Sequence, residues 1–501
     1  MKKIRILPLI LALCLLLTAL SPQALALEEP SLGAQAAILV DLNSGDVLYA
    51  RNIDEQRSPA SLTKVMTALL ALEAVERGEL KLDDLITAGP DCQTGLDSDS
   101  SNASIVSGEQ MTLRDYLYCA LVASANEACN VIAAAVSGSI GAFVESMNVR
   151  AAELGCRNTH FSDPNGLSNE NHYSTAYDLY LITSAALKHP EFETMVNTVT
   201  YHIEPTNANG ERNLANSNAL LSEGGFYGPG YVYEGAAGVK TGYTRLAGYC
   251  LISTAERSGI RALAVVLGSS GPNLEATTTV GNFADTRTLY NWLFDNFSYR
   301  QVLSAADPIE RVTIDKAEGD GVAILRTVGD VQLLLPNDVD PADRQMRVVL
   351  HEDQLVAPIA AGTALGEAYL TIGGKEYGPI RLVTNADIDM ARLQFLRQGV
   401  QDILAQRWVK TVIIVLAVLL ALYLLLVARY RALRRRHLRQ RKQAEKRRRA
   451  LQQQREEERR MREARDRQPE EPTQRFAILD PSERDAGGMD FGRYFDEPDK
   501  K

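Results

Sequence analysis

The 501-residue sequence predicts an α+β domain with a central antiparallel sheet, followed by a small all-β domain and one C-terminal transmembrane helix. Three observations lead there. Up to about residue 297, helical periodicity dominates, and two strand-like runs, 249–254 and 263–268, are separated by a charged turn in an antiparallel pattern. Near residue 300 the texture changes. Residues 302–384 carry short alternating runs, such as Arg347-Val348-Val349-Leu350 and Ala368-Tyr369-Leu370-Thr371-Ile372, between Gly-rich or Pro-rich turns. Residues 411–428 contain no charge and, as a helix, span about 27 Å, enough for a bilayer core.

The chain begins with a segment that reads as a secretory signal. Lys2, Lys3 and Arg5 precede an apolar core over 7–20, and Ala24-Leu25-Ala26 offers a cleavage site that would start the mature chain at Leu27. An uncleaved anchor is the alternative. Cys14 lies inside the apolar core and away from the cleavage site, which argues against a lipoprotein.

Residues 35–50 read as a β-hairpin around Asn43-Ser44-Gly45. A helix is expected over 59–76, with Ser58 as N-cap, Pro59 at the first helical position, and Leu62, Val65, Met66, Leu69 and Leu72 on one buried face. Residues 87–110 are polar, a long loop or small strands. Helices follow over 112–123, 127–136, 140–154 and 175–188, with a turn at Asp163-Pro164-Asn165-Gly166-Leu167. A strand is expected at 236–243, ahead of the two runs already named, and an amphipathic helix over 276–297 closes the domain. Trp408 and Tyr430 flank the apolar span as interfacial anchors, and the heavily basic stretch 429–449 places that side in the cytoplasm. The tail reads as a long charged helix to about residue 467, then as disordered. Its basic part reads chiefly as a stop-transfer flank, within reach of anionic lipid.

The predicted organisation is therefore a signal peptide (1–26), a catalytic domain (27–298), a β-rich domain (299–390), a juxtamembrane segment (391–410), a transmembrane helix (411–428) and a basic, then disordered tail (429–501). The overall net charge of −10 hides an asymmetry. Residues 429–501 hold 23 basic and 15 acidic residues, a net of +8, which leaves −18 for residues 1–428. An acidic body argues against a nucleic-acid partner, which needs clustered Lys and Arg. The five cysteines after the signal, Cys92, Cys119, Cys129, Cys156 and Cys250, are odd in number and lack metal-ligand spacing. They read as mostly reduced thiols, with one pair left open.

Three short motifs carry chemistry. Ser61-x-x-Lys64 sets a hydroxyl beside an amine at one-turn spacing, a nucleophile and its base, with the Ser61 N–H in a first helical turn where donors lack internal partners. Alone, the pair is better read as a solvated Ser and Lys on a helix surface. Ser124-Ala125-Asn126 is a polar elbow between two apolar helices. Ser100-Ser101-Asn102 has the same form but lies in a polar loop without framing helices, and is set aside. Lys240-Thr241-Gly242 sits on a strand where glycine would let a substrate backbone approach.

In this order, the three motifs resemble the penicillin-recognising serine enzymes. The closer resemblance is to low-molecular-mass D-alanyl-D-alanine carboxypeptidases. It rests on Ser58-Pro59-Ala60-Ser61-Leu62-Thr63-Lys64-Val65-Met66-Thr67-Ala68, Ser124-Ala125-Asn126-Glu127-Ala128-Cys129, the 163–167 turn, the stretch 172–179 and Gly238-Val239-Lys240-Thr241-Gly242-Tyr243-Thr244. It covers residues 30–390, since that family commonly carries a β-rich domain after the peptidase.

The resemblance implies a penicillin-binding/β-lactamase-like peptidase domain with a helical subdomain beside its sheet. It also implies a reaction. Ser61 attacks the bond between two D-alanines, and Lys64, neutral in a partly desolvated, cation-rich site beside Lys240, acts as base. Ser124 bridges the lysines and relays the proton, and Asn126 holds the substrate amide. Lys240 and Thr241, with Gly242, receive the terminal carboxylate. The N–H groups of Ser61 and Tyr243 form the oxyanion hole. Cys129 reads as a packed residue near the site. Peptidoglycan stem peptides are the implied partners and β-lactams the implied inhibitors, with no cofactor and no metal ion.

There are departures. Some relatives carry an arginine downstream of the third motif, and residues 268–275 here have none, which shifts carboxylate recognition towards Thr241, Lys240 or Arg245. Many relatives end in an amphipathic helix on the membrane, where this chain has a spanning helix and a basic tail. A class A-like β-lactamase remains an alternative, although Glu211-x-x-Leu214-Ala215-Asn216 only approximates its deacylating loop. A catalytically inactive wall-binding protein and a transpeptidase are the others.

Overall fold

The computed structural model describes residues 27–98, 100–167, 170–223, 229–275 and 278–465. The predicted signal and the tail past residue 465 lie outside the described residues. The chain divides after Ala391 into two units.

The first unit opens with β1 (Ala36–Asp41) and β2 (Val47–Arg51), paired antiparallel. The Asp41 carboxylate accepts hydrogen bonds from the Asn43 and Ser44 N–H groups and closes the hairpin. Next come a 3-10 turn (Ala60–Thr63) and α1 (Lys64–Glu76), then the short pair β3 (Leu85–Thr87) and β4 (Gln110–Thr112). The helical layer adds α2 (Leu113–Leu121), α3 (Asn126–Ser137), α4 (Ile140–Glu153), α5 (Ala176–Ala186) and α6 (Pro190–Asn197). A second hairpin, β5 (Thr200–Ile203) and β6 (Arg212–Ala215), precedes β7 (Ala236–Thr244), β8 (Gly248–Arg257), β9 (Ile260–Ser269) and α7 (Gly281–Asn296). The central sheet has the order β2-β1-β9-β8-β7, so β7, with the third motif, is an edge strand.

Every residue of β1 is buried because the sheet is covered on both faces. Ala36, Ile38 and Val40 join the core under the helical layer, whereas Ala37 and Leu39 join the core under α7. α1 runs through the helical core. Val65, Met66, Ala68, Leu69, Leu70, Ala71, Leu72 and Ala74 are all buried, so the single buried face expected for it is wrong. A helix enclosed by the sheet and other helices is apolar all round. The start of this helix also differs from expectation. Ser58 does not cap it. Pro59 occupies the cap position of the 3-10 turn, and the α-helix proper begins at Lys64. α2 has a full capping box between Thr112 and Asp115.

α6 and the β5–β6 hairpin were not legible as elements in the sequence. The hairpin tip docks onto loop 103–110 through Glu109, which is 0% exposed. Glu109 accepts hydrogen bonds from Arg212 Nη2 (2.6 Å), Thr206 Oγ1 (2.8 Å), Asn209 Nδ2 (2.8 Å) and the Val106 N–H (3.3 Å). Arg212→Ala would leave a buried carboxylate without its counter-ion. It is expected to destabilise the unit by about 3 kcal/mol, read as a lower Tm at pH 7.

The rest of the first unit is β-rich: β10 (Phe297–Leu303), β11 (Glu310–Asp315), β12 (Val322–Thr327), β13 (Val331–Pro336), β14 (Arg344–Leu350), β15 (Leu355–Val356), β16 (Ala364–Ile372) and β17 (Lys375–Thr384). Six of these form a sheet in the order β14-β16-β17-β12-β11-β15, and β10 pairs with β13. This is the all-β region that the alternating runs predict. The Tyr299 hydroxyl donates to Asp41 Oδ2 at 2.6 Å, tying β10 to the first hairpin. Cys92, Cys119, Cys129, Cys156 and Cys250 are all free thiols.

The second unit is α8 (Arg392–Ala405) and α9 (Arg407–Arg465). α9 contains an 18-residue window of mean hydropathy 3.1, long and apolar enough to cross a membrane. Trp408 and Tyr430 are exposed at the ends of its apolar stretch.

Candidate active site

Ser61 lies in the 3-10 turn and Lys64 begins the α-helix that follows. In a 3-10 turn, residues three apart eclipse one another, which places the two side chains in register. Lys64 Nζ lies 2.8 Å from Ser61 Oγ. It also donates to Asn126 Oδ1 and to the Asn165 carbonyl, each at 2.7 Å. Lys64 is fully buried, whereas Ser61 keeps partial access to solvent.

Two glycines allow these elements to meet. At Gly166 (φ +90°) an added Cβ would lie 1.9 Å from the Ala60 carbonyl oxygen. At Gly242 it would lie 3.1 Å from the Pro59 oxygen and 3.3 Å from Ala60 Cβ. The 163–167 turn and β7 thus both press on the turn that carries Ser61. Asp163 Oδ1 shapes the first of these contacts by accepting from the Asn165 (3.0 Å) and Gly166 (2.6 Å) N–H groups. His172, also buried, has Nε2 2.8 Å from Thr63 Oγ1. Thr63 donates its own proton to the Ala60 carbonyl, so the imidazole supplies the N–H of that contact.

Burial lowers the Lys64 pKa from its ordinary value, and Cys129, Asp163 and Glu127 only partly oppose it. Lys240 is buried as well and donates to the Thr241 carbonyl at 3.1 Å. Its pKa falls well below the usual lysine value, first from burial and then from repulsion by Lys64. Desolvation is thus the leading cause at both lysines, and the repulsion between the two buried amines is a secondary one. For Asp163, burial works upward but is outweighed by His172 and the two backbone N–H groups, so its carboxyl stays below the ordinary range. Burial pushes the Cys129 thiol up to about 12.

The elbow at Ser124 has a left-handed backbone (φ 60°). The Ala125 N–H donates to the Cys119 carbonyl and the Asn126 N–H to the Ser101 carbonyl. The stretch set aside at 100–102 is therefore part of the elbow's support. Glu127 Oε1 extends that support by accepting from the Ala103 (2.6 Å) and Ile105 (3.2 Å) N–H groups. Ser124 is buried, and its hydroxyl makes no hydrogen bond to either lysine among the described residues. Thr241 Oγ1 lies 2.6 Å from Ser217 Oγ. Tyr243 pairs with Tyr249 on the edge strand, which leaves alternate backbone groups of β7 facing away from β8. Arg245 is exposed in the β7–β8 turn, where it lines a cleft of about 390 Å³ with Arg57, Ser270 and Glu275. Glu211 is exposed on the β5–β6 hairpin, 3.9 Å from His202.

The arrangement can therefore transfer a proton from a serine hydroxyl to a desolvated amine at the foot of an open strand edge. The D-alanyl-D-alanine carboxypeptidase family matches residues 23–271, and the C-terminal domain of penicillin-binding protein 5 matches residues 297–390. The D-alanyl-D-alanine carboxypeptidase DacF of Bacillus subtilis is 30% identical over 370 residues, covering 74% of this chain and 90% of that protein. The chain belongs to the D-alanyl-D-alanine carboxypeptidase family. DacA of Escherichia coli is 31% identical over 349 residues, covering 69% and 81% of the two chains. The solved structure of penicillin-binding protein 5 from Haemophilus influenzae aligns with a TM-score of 0.59 at 27% identity, over 72% of this chain and 99% of that one.

Three contributors in this carboxypeptidase-family site escaped the sequence reading. The Asn165 carbonyl is a backbone group, visible beforehand only as part of a turn. Ser217 sits in the polar triplet Asn216-Ser217-Asn218, and Glu127 directly follows the elbow motif; both could have been noticed as polar residues beside apolar runs.

Proposed function

We propose that this protein is a serine-type carboxypeptidase that removes the terminal D-alanine from peptidoglycan pentapeptides through an acyl-enzyme on Ser61, and that penicillins acylate the same serine. The observation that carries this reading is the buried Lys64 amine 2.8 Å from Ser61 Oγ. In this reading neutral Lys64 takes the Ser61 proton as Oγ attacks the carbonyl between the two D-alanines. The oxyanion that forms is held by the N–H groups of Ser61 and Tyr243. Ser124 turns towards the leaving nitrogen and relays to it the proton that Lys64 took, which leaves the amine neutral again. Free D-alanine departs, and water, deprotonated by that neutral amine, cleaves the ester as the proton returns to Ser61 Oγ. Asn126 uses its amide N–H to hold the substrate carbonyl, while Lys240 and Thr241 meet the terminal carboxylate, and Gly242, lacking a side chain, lets β7 close on the turn that carries Ser61.

The proposed layout keeps the catalytic domain at 27–298 and the β-rich domain at 299–390. A juxtamembrane segment (391–410) leads to a single span at 411–428, with the catalytic domain outside the cytoplasmic membrane and the basic tail inside. D-alanine release from a diacyl-L-Lys-D-Ala-D-Ala peptide tests the activity. The wild-type protein is expected to release it, and Ser61→Ala to release none above background. Equal release by both would overturn the assignment. Rapid catalytic turnover of penicillin would favour the β-lactamase alternative instead.

A further inference from the structure

Ser217 is not part of the three motifs, yet it stands between two of them. Its N–H donates to the Val122 carbonyl, two residues ahead of Ser124, and its hydroxyl lies 2.6 Å from Thr241 Oγ1. The residues on either side are pinned. Asn216 Nδ2 donates to the Val196 (3.1 Å) and Thr198 (2.9 Å) carbonyls, and its Oδ1 accepts from the Asn218 N–H. Asn218 Nδ2 donates to the Gly238 carbonyl of β7 at 2.6 Å, and its Oδ1 accepts from the Leu220 N–H. Both asparagines are buried, whereas Ser217 is half-buried. A fixed strut therefore delivers one partly accessible hydroxyl to Thr241.

Each hydroxyl has one proton and can accept two more hydrogen bonds. If Thr241 donates to Ser217, its only proton is spent and it turns a lone pair towards the cleft, which repels an anion. If Ser217 donates to Thr241, the Thr241 proton is free to point at the cleft, and the chain Ser217 to Thr241 to carboxylate is polarised in one direction. We propose that Ser217 is a positioning residue for the substrate's terminal carboxylate: its hydroxyl donates to Thr241 Oγ1 and thereby commits the Thr241 proton to that carboxylate. The inference rests on the reading above that Thr241 meets the carboxylate.

Full-length protein in detergent, with Ser217→Ala and Ser217→Thr variants, tests it on two peptides. One ends in D-Ala-D-Ala, the other in D-Ala-D-alaninamide, which is identical but uncharged at its end. Ser217→Ala is expected to raise KM for the carboxylate peptide roughly tenfold, with the loss in KM and not in kcat. On the amide peptide it should behave as the wild type does, and Ser217→Thr should restore the carboxylate KM. Equal losses on both peptides would reduce Ser217 to a brace for β7 and overturn the proposal, as would an unchanged KM. If the alanine variant does not fold, Ser217→Cys keeps the volume with a weaker donor, and the same preferential loss on the carboxylate peptide is required of it. The two readings fail separately. Release that persists in Ser61→Ala sinks the proposed function, whereas a Ser61-dependent enzyme indifferent to Ser217→Ala sinks only this inference.

Discussion

Replacing Lys64 with alanine is expected to slow acylation by penicillin about 1,000-fold, because the amine 2.8 Å from Ser61 Oγ is the only titratable group hydrogen-bonded to that hydroxyl among the described residues. Lys64→Arg should not rescue it, since a guanidinium stays protonated and cannot accept the serine proton. The wild-type rate should show the base directly. Burial lowers the Lys64 pKa, so the neutral amine accumulates, and the acylation rate rises, as pH increases through a value below that of an ordinary lysine. The residual rate of Lys64→Ala should lack that rise. The same shift affects stability. Between the lowered folded pKa and the ordinary unfolded one, the unfolded chain binds the proton and the folded chain does not, so folding stability rises with pH across that window. Stopped-flow acylation across the pH range checks the kinetic claim, and an unchanged rate in Lys64→Ala would remove lysine from the role of base.

Gly166→Ala should damage both stability and activity. The position combines φ +90° with a backbone oxygen, that of Ala60, 1.9 Å from where a Cβ would sit, and Thr63 Oγ1 is 2.8 Å away. A left-handed alanine alone costs about 1–2 kcal/mol. Relieving the clash must also displace the turn that carries Ser61, for a total of about 3 kcal/mol or more. Penicillin acylation by the folded fraction should fall at least roughly tenfold, since small misplacements of a nucleophile are felt strongly. Gly138 is the matched control: φ is +78°, but nothing lies within 4 Å of an added Cβ. Gly138→Ala should lower Tm modestly and leave acylation intact. Equal effects at the two glycines, measured by thermal unfolding and acylation rate, would show that the packing of the 163–167 turn on the turn that carries Ser61 does not matter.

The contrast between these glycines shows where sequence reasoning reached and where it stopped. Ser61 and Lys64 could be set side by side from their spacing, because their contact is made within one turn of chain. The strand at β7 and the all-β region followed from local patterns in the same way, whereas the edge position of β7 emerged only with the sheet order. The start of α1 did not follow from local patterns either. Ser58-Pro59 has the composition of a cap, but contacts from Gly166 and Gly242 accompany a 3-10 turn with Ala60 at φ 47°. The burial of α1 on all sides was also hidden, since an element apolar all round has no polar face to mark its orientation. The Asn165 carbonyl carries no side-chain identity, and the Ser217–Thr241 contact exists only once β7 and the 216–218 strut are folded together. Glu109 and Arg212 are 103 residues apart, and each alone looks like a surface charge.

The central claim is that Ser61 is the nucleophile, and mass spectrometry of the folded protein after incubation with a labelled penicillin tests it most directly. A single penicilloyl adduct on the peptide containing Ser61, absent from Ser61→Ala, is the expected result. An adduct on another residue, or none on folded protein, would contradict it.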